Sequence, residues 1–155
     1  MVKYCYNLLF FMGLLPFLAL GQEPELVKDI NPSGDSKINQ LSAYDGKLYF
    51  WATNGTDGEE LWVTDGTPAS TKMLKDINPN GSSTPAGFTT YNGKLYLEAD
   101  NGTDGDELWV TDGTTSGTQM VKDINPNGNG YPSYFTTYNG KLYFRADNGT
   151  DGKEL

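Results

Sequence analysis

The sequence predicts an all-β chain made of four-stranded antiparallel units repeated in tandem, and three observations carry that prediction. First, the chain repeats itself at a fixed step. "KDINP" begins at Lys28, Lys75 and Lys122, "GKLY" at Gly46, Gly93 and Gly140, and "NGTDG" at Asn54, Asn101 and Asn148, always 47 residues apart. Second, Asp-Gly or Asn-Gly stands between short apolar runs in every unit, in "YDGK" (44–47) and "YNGK" (91–94). Two-residue turns of that kind need positive φ and mark β-hairpins. Third, no stretch beyond the N-terminal leader shows helical periodicity, and Gly, Pro, Asn and Asp recur too often for a helix to run.

The elements follow in order along one unit. The Asn92-Gly93 turn joins strands expected at Phe88 to Tyr91 and Lys94 to Ala99. A second turn, "DNGTDG" (100–105), leads into "DELWVTD" (106–112), where Leu108 and Val110 face away from Trp109 and Thr111. A third turn, "GTTSG" (113–117), leads into "TQMVKDI" (118–124), and a long turn-rich link such as "NPNGSSTPAG" (78–87) separates units.

Four strands per unit, with three short links and one long one, describe an antiparallel meander. One such sheet buries too little by itself, so successive sheets must cover each other. The expected architecture is therefore a β-propeller-like array of four-stranded blades, with units at about 38–77, 85–124 and 132–155, or about 2.7 repeats. A β-solenoid is the competing reading, but its coils are usually shorter. Tyr44–Thr67 and Tyr91–Thr114 are identical at 19 of 24 positions, so the unit is recent or tightly constrained. A leading strand is expected at Leu26 to Ile30. The third unit ends at Leu155, two letters into its "ELW" phrase, so the expected reading is an N-terminal fragment of a longer chain, marginal or prone to association by itself.

Residues 1–21 read as a secretory signal peptide: Lys3, an apolar run from Leu8 to Leu20, and small residues at Ala19 and Gly21 that place cleavage before Gln22. The run falls short of the roughly 20 residues that span a bilayer, and Gly13 and Pro16 interrupt it. The expected location is outside the cytoplasm, secreted or at the cell surface, with no membrane span after the leader. Residues 22–155 contain no Cys or His, which excludes disulfides, thiol or imidazole catalysis and Cys/His zinc sites there. The whole chain carries −9, and residues 22–155 carry −10 (10 basic, 20 acidic), which opposes binding to nucleic acid.

The phrases "ELWVTDGT" (60–67 and 107–114), "GTQMVKDINP" and "NGKLYFRADNGTDGKEL" resemble the ELWxxDGT repeat family of large secreted or surface bacterial proteins, some of them hyalin-like. The resemblance covers essentially all of residues 22–155. It implies a propeller-like array and brings no established activity.

The recurring acids argue against catalysis. Glycoside hydrolysis needs two carboxylates in different environments, and acids repeated identically in every unit lack that asymmetry. In "NGTDGEE" and "NGTDGDE", Asp57, Glu60, Asp104 and Glu107 offer oxygens that would suit Ca²⁺, but Asp-Gly and Asn-Gly are explained by turn geometry. The expectation is therefore no catalytic residue and no resident cofactor.

Trp62, Trp109, Tyr49, Tyr96 and Tyr143 are expected to pack between units rather than to stack on sugars. Trp51 differs: its counterparts are Glu98 and Arg145, so the position varies while its neighbours do not, as a solvent-facing or ligand-facing position would. Asn54, Asn80, Asn101 and Asn148 match the glycan acceptor pattern, which in a bacterial protein is turn sequence. The functional expectation is a non-catalytic scaffold for binding or adhesion, with an extracellular ligand or glycan as partner. The alternative is the accessory repeat region of a secreted polysaccharide-processing enzyme.

Overall fold

A computed structural model of the protein describes residues 23–155; the leader, Gly21 and the cleavage position before Gln22 lie outside the described residues. The described chain is all-β, in three small antiparallel sheets. The first contains β1 (Asn39–Tyr44), β2 (Lys47–Ala52), β3 (Glu60–Thr64) and β4 (Lys72–Lys75). The second contains β5 (Ala86–Tyr91), β6 (Lys94–Asp100), β7 (Asp106–Thr111) and β8 (Gln119–Lys122). The third has β9 (Ser133–Tyr138), β10 (Lys141–Asp147) and the two-residue β11 (Lys153–Glu154). Strands lie in sequence order, so β1, β5 and β9 each form an edge of their sheet.

The hairpins form as the turn chemistry dictates. Asp45 and Gly46, Asn92 and Gly93, and Asn139 and Gly140 all take left-handed backbone, with φ between 46° and 70°. Positive φ at both central residues is the requirement of a type I′ turn, whose twist matches that of the strands it joins.

Cross-strand partners share a face of the sheet, which sorts the core. In the first sheet Phe50 opposes Trp62, while Tyr49 opposes Val63 and Trp51 opposes Leu61 on the other face. In the second, Leu97 opposes Trp109. Tyr49, Leu61 and Val63 pack in one cluster with Leu95, Leu97, Ala99 and Trp109, so the first sheet covers the second face to face. Phe50, Ala52 and Trp62 form a separate cluster with Ile30 on the first sheet's other face. Trp109 is buried between the first two sheets, the role expected of it, whereas Trp62 is buried against Ile30 on the first sheet's other face rather than between two sheets.

Hydrogen bonds repeat across the sheet boundaries. The Tyr44 hydroxyl donates to Gly93 O in the next sheet's hairpin turn at 2.7 Å, and Tyr91 donates to Gly140 O at 2.6 Å. Lys28 Nζ donates to Thr71 O at 2.7 Å and Lys75 Nζ to Thr118 O at 2.8 Å. The lysine of "KDINP" is thus a clip from one unit onto the following sheet, and at Lys75 it also ends a strand.

Two expectations are corrected. Leu26–Ile30 does not form a strand: only Glu25 makes a bridge, and Leu26 is exposed. A strand exists through its ladder, and the segment is held instead by the Lys28 clip and by burial of Ile30 and Asn31 against the first sheet. Trp51 is half-buried rather than exposed, because its face is the one turned toward the second sheet.

Candidate functional site

The repeated acids have structural partners. Glu60 is 0% exposed. Its carboxylate accepts the Ile77 N–H at 2.8 Å, the Ser83 N–H at 3.0 Å, the Ser83 hydroxyl at 2.5 Å and, at 3.4 Å, the Asn78 N–H. Glu107 repeats this, accepting N–H groups of Ile124 (2.8 Å), Gly130 (2.8 Å) and Asn125 (3.4 Å). The glutamate of the repeated phrase ties down the irregular link between sheets, beside the main-chain bonds of Ser83 to Glu59 O and of Gly130 to Asp106 O. Burial pushes both carboxyls above the usual range despite these donors.

Asp57 and Asp104 sit in a different environment, inside the "NGTDG" turns. Asn54 Nδ2 donates to Asp57 Oδ2 at 2.6 Å, and Asn101 Nδ2 to Asp104 Oδ2 at 2.7 Å. The Asn54 side-chain oxygen in turn accepts the Thr56 and Asp57 N–H groups, each at 3.0 Å. Among the described residues, no three His, Cys, Asp or Glu side chains gather where they could hold a metal ion. A shallow groove beside the second of these turns is lined by Asp100, Thr103 and Asp104 together with Asn127, and Asp100 caps the Gly102 N–H at 2.6 Å.

The rest of "ELWVTDGT" is equally committed to its own structure. Thr64 and Thr71 share a hydroxyl hydrogen bond at 2.7 Å, as do Thr111 and Thr118. Asp65 accepts from the Thr67 N–H (3.0 Å) and hydroxyl (2.8 Å) and from the Ser70 hydroxyl, which holds its carboxyl below the usual range.

The positions at which the units differ converge elsewhere. Pairing slips between Asn39 and Ser42 in β1, between Ala86 and Thr89 in β5, and at the matching place in β9. Gln40-Leu41, Gly87-Phe88 and Tyr134-Phe135 bulge from the ladder there, and these pairs line one groove that crosses the three edge strands. Gln40 (φ 56°), Gly87 (φ 66°) and Tyr134 (φ 55°) all take left-handed backbone. That conformation is costly for Gln and more so for Tyr. At Gly87 it also allows close packing, since a Cβ there would come within 2.8 Å of the Phe135 ring.

The variable row Trp51, Glu98, Arg145 borders these bulges: Trp51 pairs with Asn39, Glu98 with Ala86, and Arg145 with Ser133. In the third unit the Arg145 guanidinium lies 4.5 Å from the centre of the Tyr134 ring and donates to Ser133 Oγ at 3.1 Å. Glu98 is pushed up to about 7 by burial and by the charge of Asp106, against the pull of Lys153 and Arg145. The variation at Trp51, Glu98 and Arg145 pointed to one side of this groove, whereas the bulges that form its floor have no signature in a strand-length pattern.

No helix among the described residues is long and apolar enough to cross a membrane. No family model, curated protein or solved structure matches the chain.

Proposed function

We propose that this chain is a non-catalytic binding or adhesion scaffold working outside the cytoplasm. In this reading it is a propeller-like array related to the ELWxxDGT repeat proteins, with its ligand held in the groove across β1, β5 and β9. One observation carries the reading: residues that recur identically are engaged in holding the fold, while residues that differ between units gather in one accessible groove. Glu60 and Glu107, the buried acids of the repeated phrase, are engaged by backbone N–H groups of the links between sheets. The stacking of the first sheet on the second, repeated by the tyrosine and lysine clips, supports the propeller-like arrangement.

The test is a binding screen of the full chain against immobilised extracellular polysaccharides and matrix proteins, run beside the groove variant Leu41→Glu. Retention of at least one class, weakened about tenfold or more by the variant, is expected. Turnover of any of these polymers, or retention indifferent to Leu41→Glu, would overturn the proposal.

A further inference from the structure

The third unit departs from the other two as a coordinated set. Tyr131 stands where the earlier units have Lys37 and Thr84, and Lys153 where they have Glu59 and Asp106. In the first unit this pair of positions is a salt bridge, Lys37 Nζ to Glu59 at 2.6 Å. In the third, the Lys153 ammonium lies 4.7 Å from the centre of the Tyr131 ring. In the same sheet, Tyr134 and Arg145 replace Gln40 and Trp51 of the first unit and Gly87 and Glu98 of the second, and form the other cation-aromatic stack. One unit of a strongly acidic chain has thus gained two cations and two tyrosines at one end of its sheet.

Resting on the binding-scaffold reading above, we propose that the Tyr134–Arg145 stack is a subsite for an acidic carbohydrate, a polysaccharide of uronic acid residues. Tyr134 is 77% exposed although Arg145 covers part of it, so ring surface is left for the C–H face of a pyranose. The guanidinium beside it matches a sugar carboxylate, which Arg can hold through two parallel N–H groups. The guanidinium itself, rather than a net positive patch, supplies the complementarity to an anion, since Glu98 lies within reach of both Arg145 and Lys153. Gln40, Ser42 and Thr89 along the same groove supply side-chain amide and hydroxyl groups for sugar hydroxyls.

An acidic peptide fits less well. Peptides that dock on an edge strand need an uninterrupted row of backbone donors and acceptors, and the left-handed residues at Gln40, Gly87 and Tyr134 break that row in all three edge strands.

The experiment is calorimetric titration of the full chain with oligogalacturonate, with its neutral methyl ester and with poly-glutamate, for the native protein, Tyr134→Ala and Arg145→Gln. Oligogalacturonate should bind. Tyr134→Ala should weaken it about tenfold or more, as loss of a stacking ring does, and Arg145→Gln should remove the preference over the methyl ester. Arg145→Lys, which keeps the charge without the planar fork, should restore only part of that preference and guards against a folding defect in Arg145→Gln. Absence of oligogalacturonate binding, equal binding of poly-glutamate, or indifference to both variants would sink the acidic-sugar subsite. Binding of neutral sugars or matrix proteins abolished by Leu41→Glu would leave the scaffold reading standing while this subsite fell.

Discussion

Asn78 and Gly102 meet so closely that a Cβ on Gly102 would lie 2.4 Å from the Asn78 side-chain oxygen. Asn78 belongs to "KDINP" of the first unit and Gly102 to "NGTDG" of the second, and the contact recurs between Asn31 and Gly55 and between Asn125 and Gly149. Two phrases that look independent in sequence are therefore halves of one joint between consecutive units. Gly102→Ala should be destabilising on two counts, the clash and its φ of +79°. Gly93→Ala, with a similar φ of +67° and nothing within 4 Å, isolates the backbone cost. Denaturant melts should show Gly102→Ala worse by about 1–3 kcal/mol, and equal losses would refute the joint.

The buried glutamates offer a second test. Glu107→Ala would leave the N–H groups of Ile124 and Asn125 without their acceptor, while Gly130 would keep its bond to Asp106 O. A loss of about 2 kcal/mol is expected, since each orphaned donor costs on the order of 1 kcal/mol or more. Hydrogen exchange at Ile124 and Asn125 should accelerate in the variant, and unchanged protection there would contradict the tethering role.

Trp109→Ala should cost about 3–5 kcal/mol, the range for emptying a large aromatic core site. Trp109 is 6% exposed and packs in the cluster shared by the first two sheets, under the Lys75 ammonium at 5.8 Å. Trp51→Ala should cost less, because Trp51 is only half-buried. Chemical denaturation of the two variants side by side measures the difference, and the reverse order would contradict the assignment of faces.

Glu98 makes stability fall as pH rises. Its folded pKa is about 7, above the ordinary 4.5, so between these values the folded chain holds a proton that the unfolded chain has released. Unfolding then loses a proton, and stability declines from about pH 4.5 to about pH 7, with the full penalty present above that. Glu98→Gln should raise stability at pH 8 by about 1 kcal/mol and leave it nearly unchanged at pH 4.5. Thermal melts across this range check it, and a parallel shift at both pH values would contradict the linkage.

Mass analysis of exported protein should find Gln22 as the first residue, since Ala19 and Gly21 end the apolar run. An intact Met1 on exported protein would defeat the leader assignment.

The strand and turn framework was legible because it is written locally. "YNGK" and "YDGK" specify a hairpin within four letters, and the 47-residue step shows that each feature returns. The core tryptophans were legible for the same reason, since alternation along "ELWVT" names the two faces. Trp51 misled because its variability resembled that of a surface residue, whereas its face is half-covered by the next sheet. Leu26–Ile30 misled because "LVKDI" has strand composition, and composition does not supply a ladder partner.

By itself the sequence determined the all-β class, the repeat and the position of every Asn-Gly or Asp-Gly hairpin. These depend on φ preferences and on side-chain hydrogen bonds reaching only a few residues. Only the tertiary structure decided that Glu60 and Glu107 hold the inter-sheet links, that Asn78 of one unit fits against Gly102 of the next, and that the bulges at Gln40, Gly87 and Tyr134 line one groove. Those relationships join residues many positions apart. They exist because stacked sheets bury their apolar faces and bring equivalent edges of successive units side by side, and no local preference of the chain encodes which residues meet when that happens.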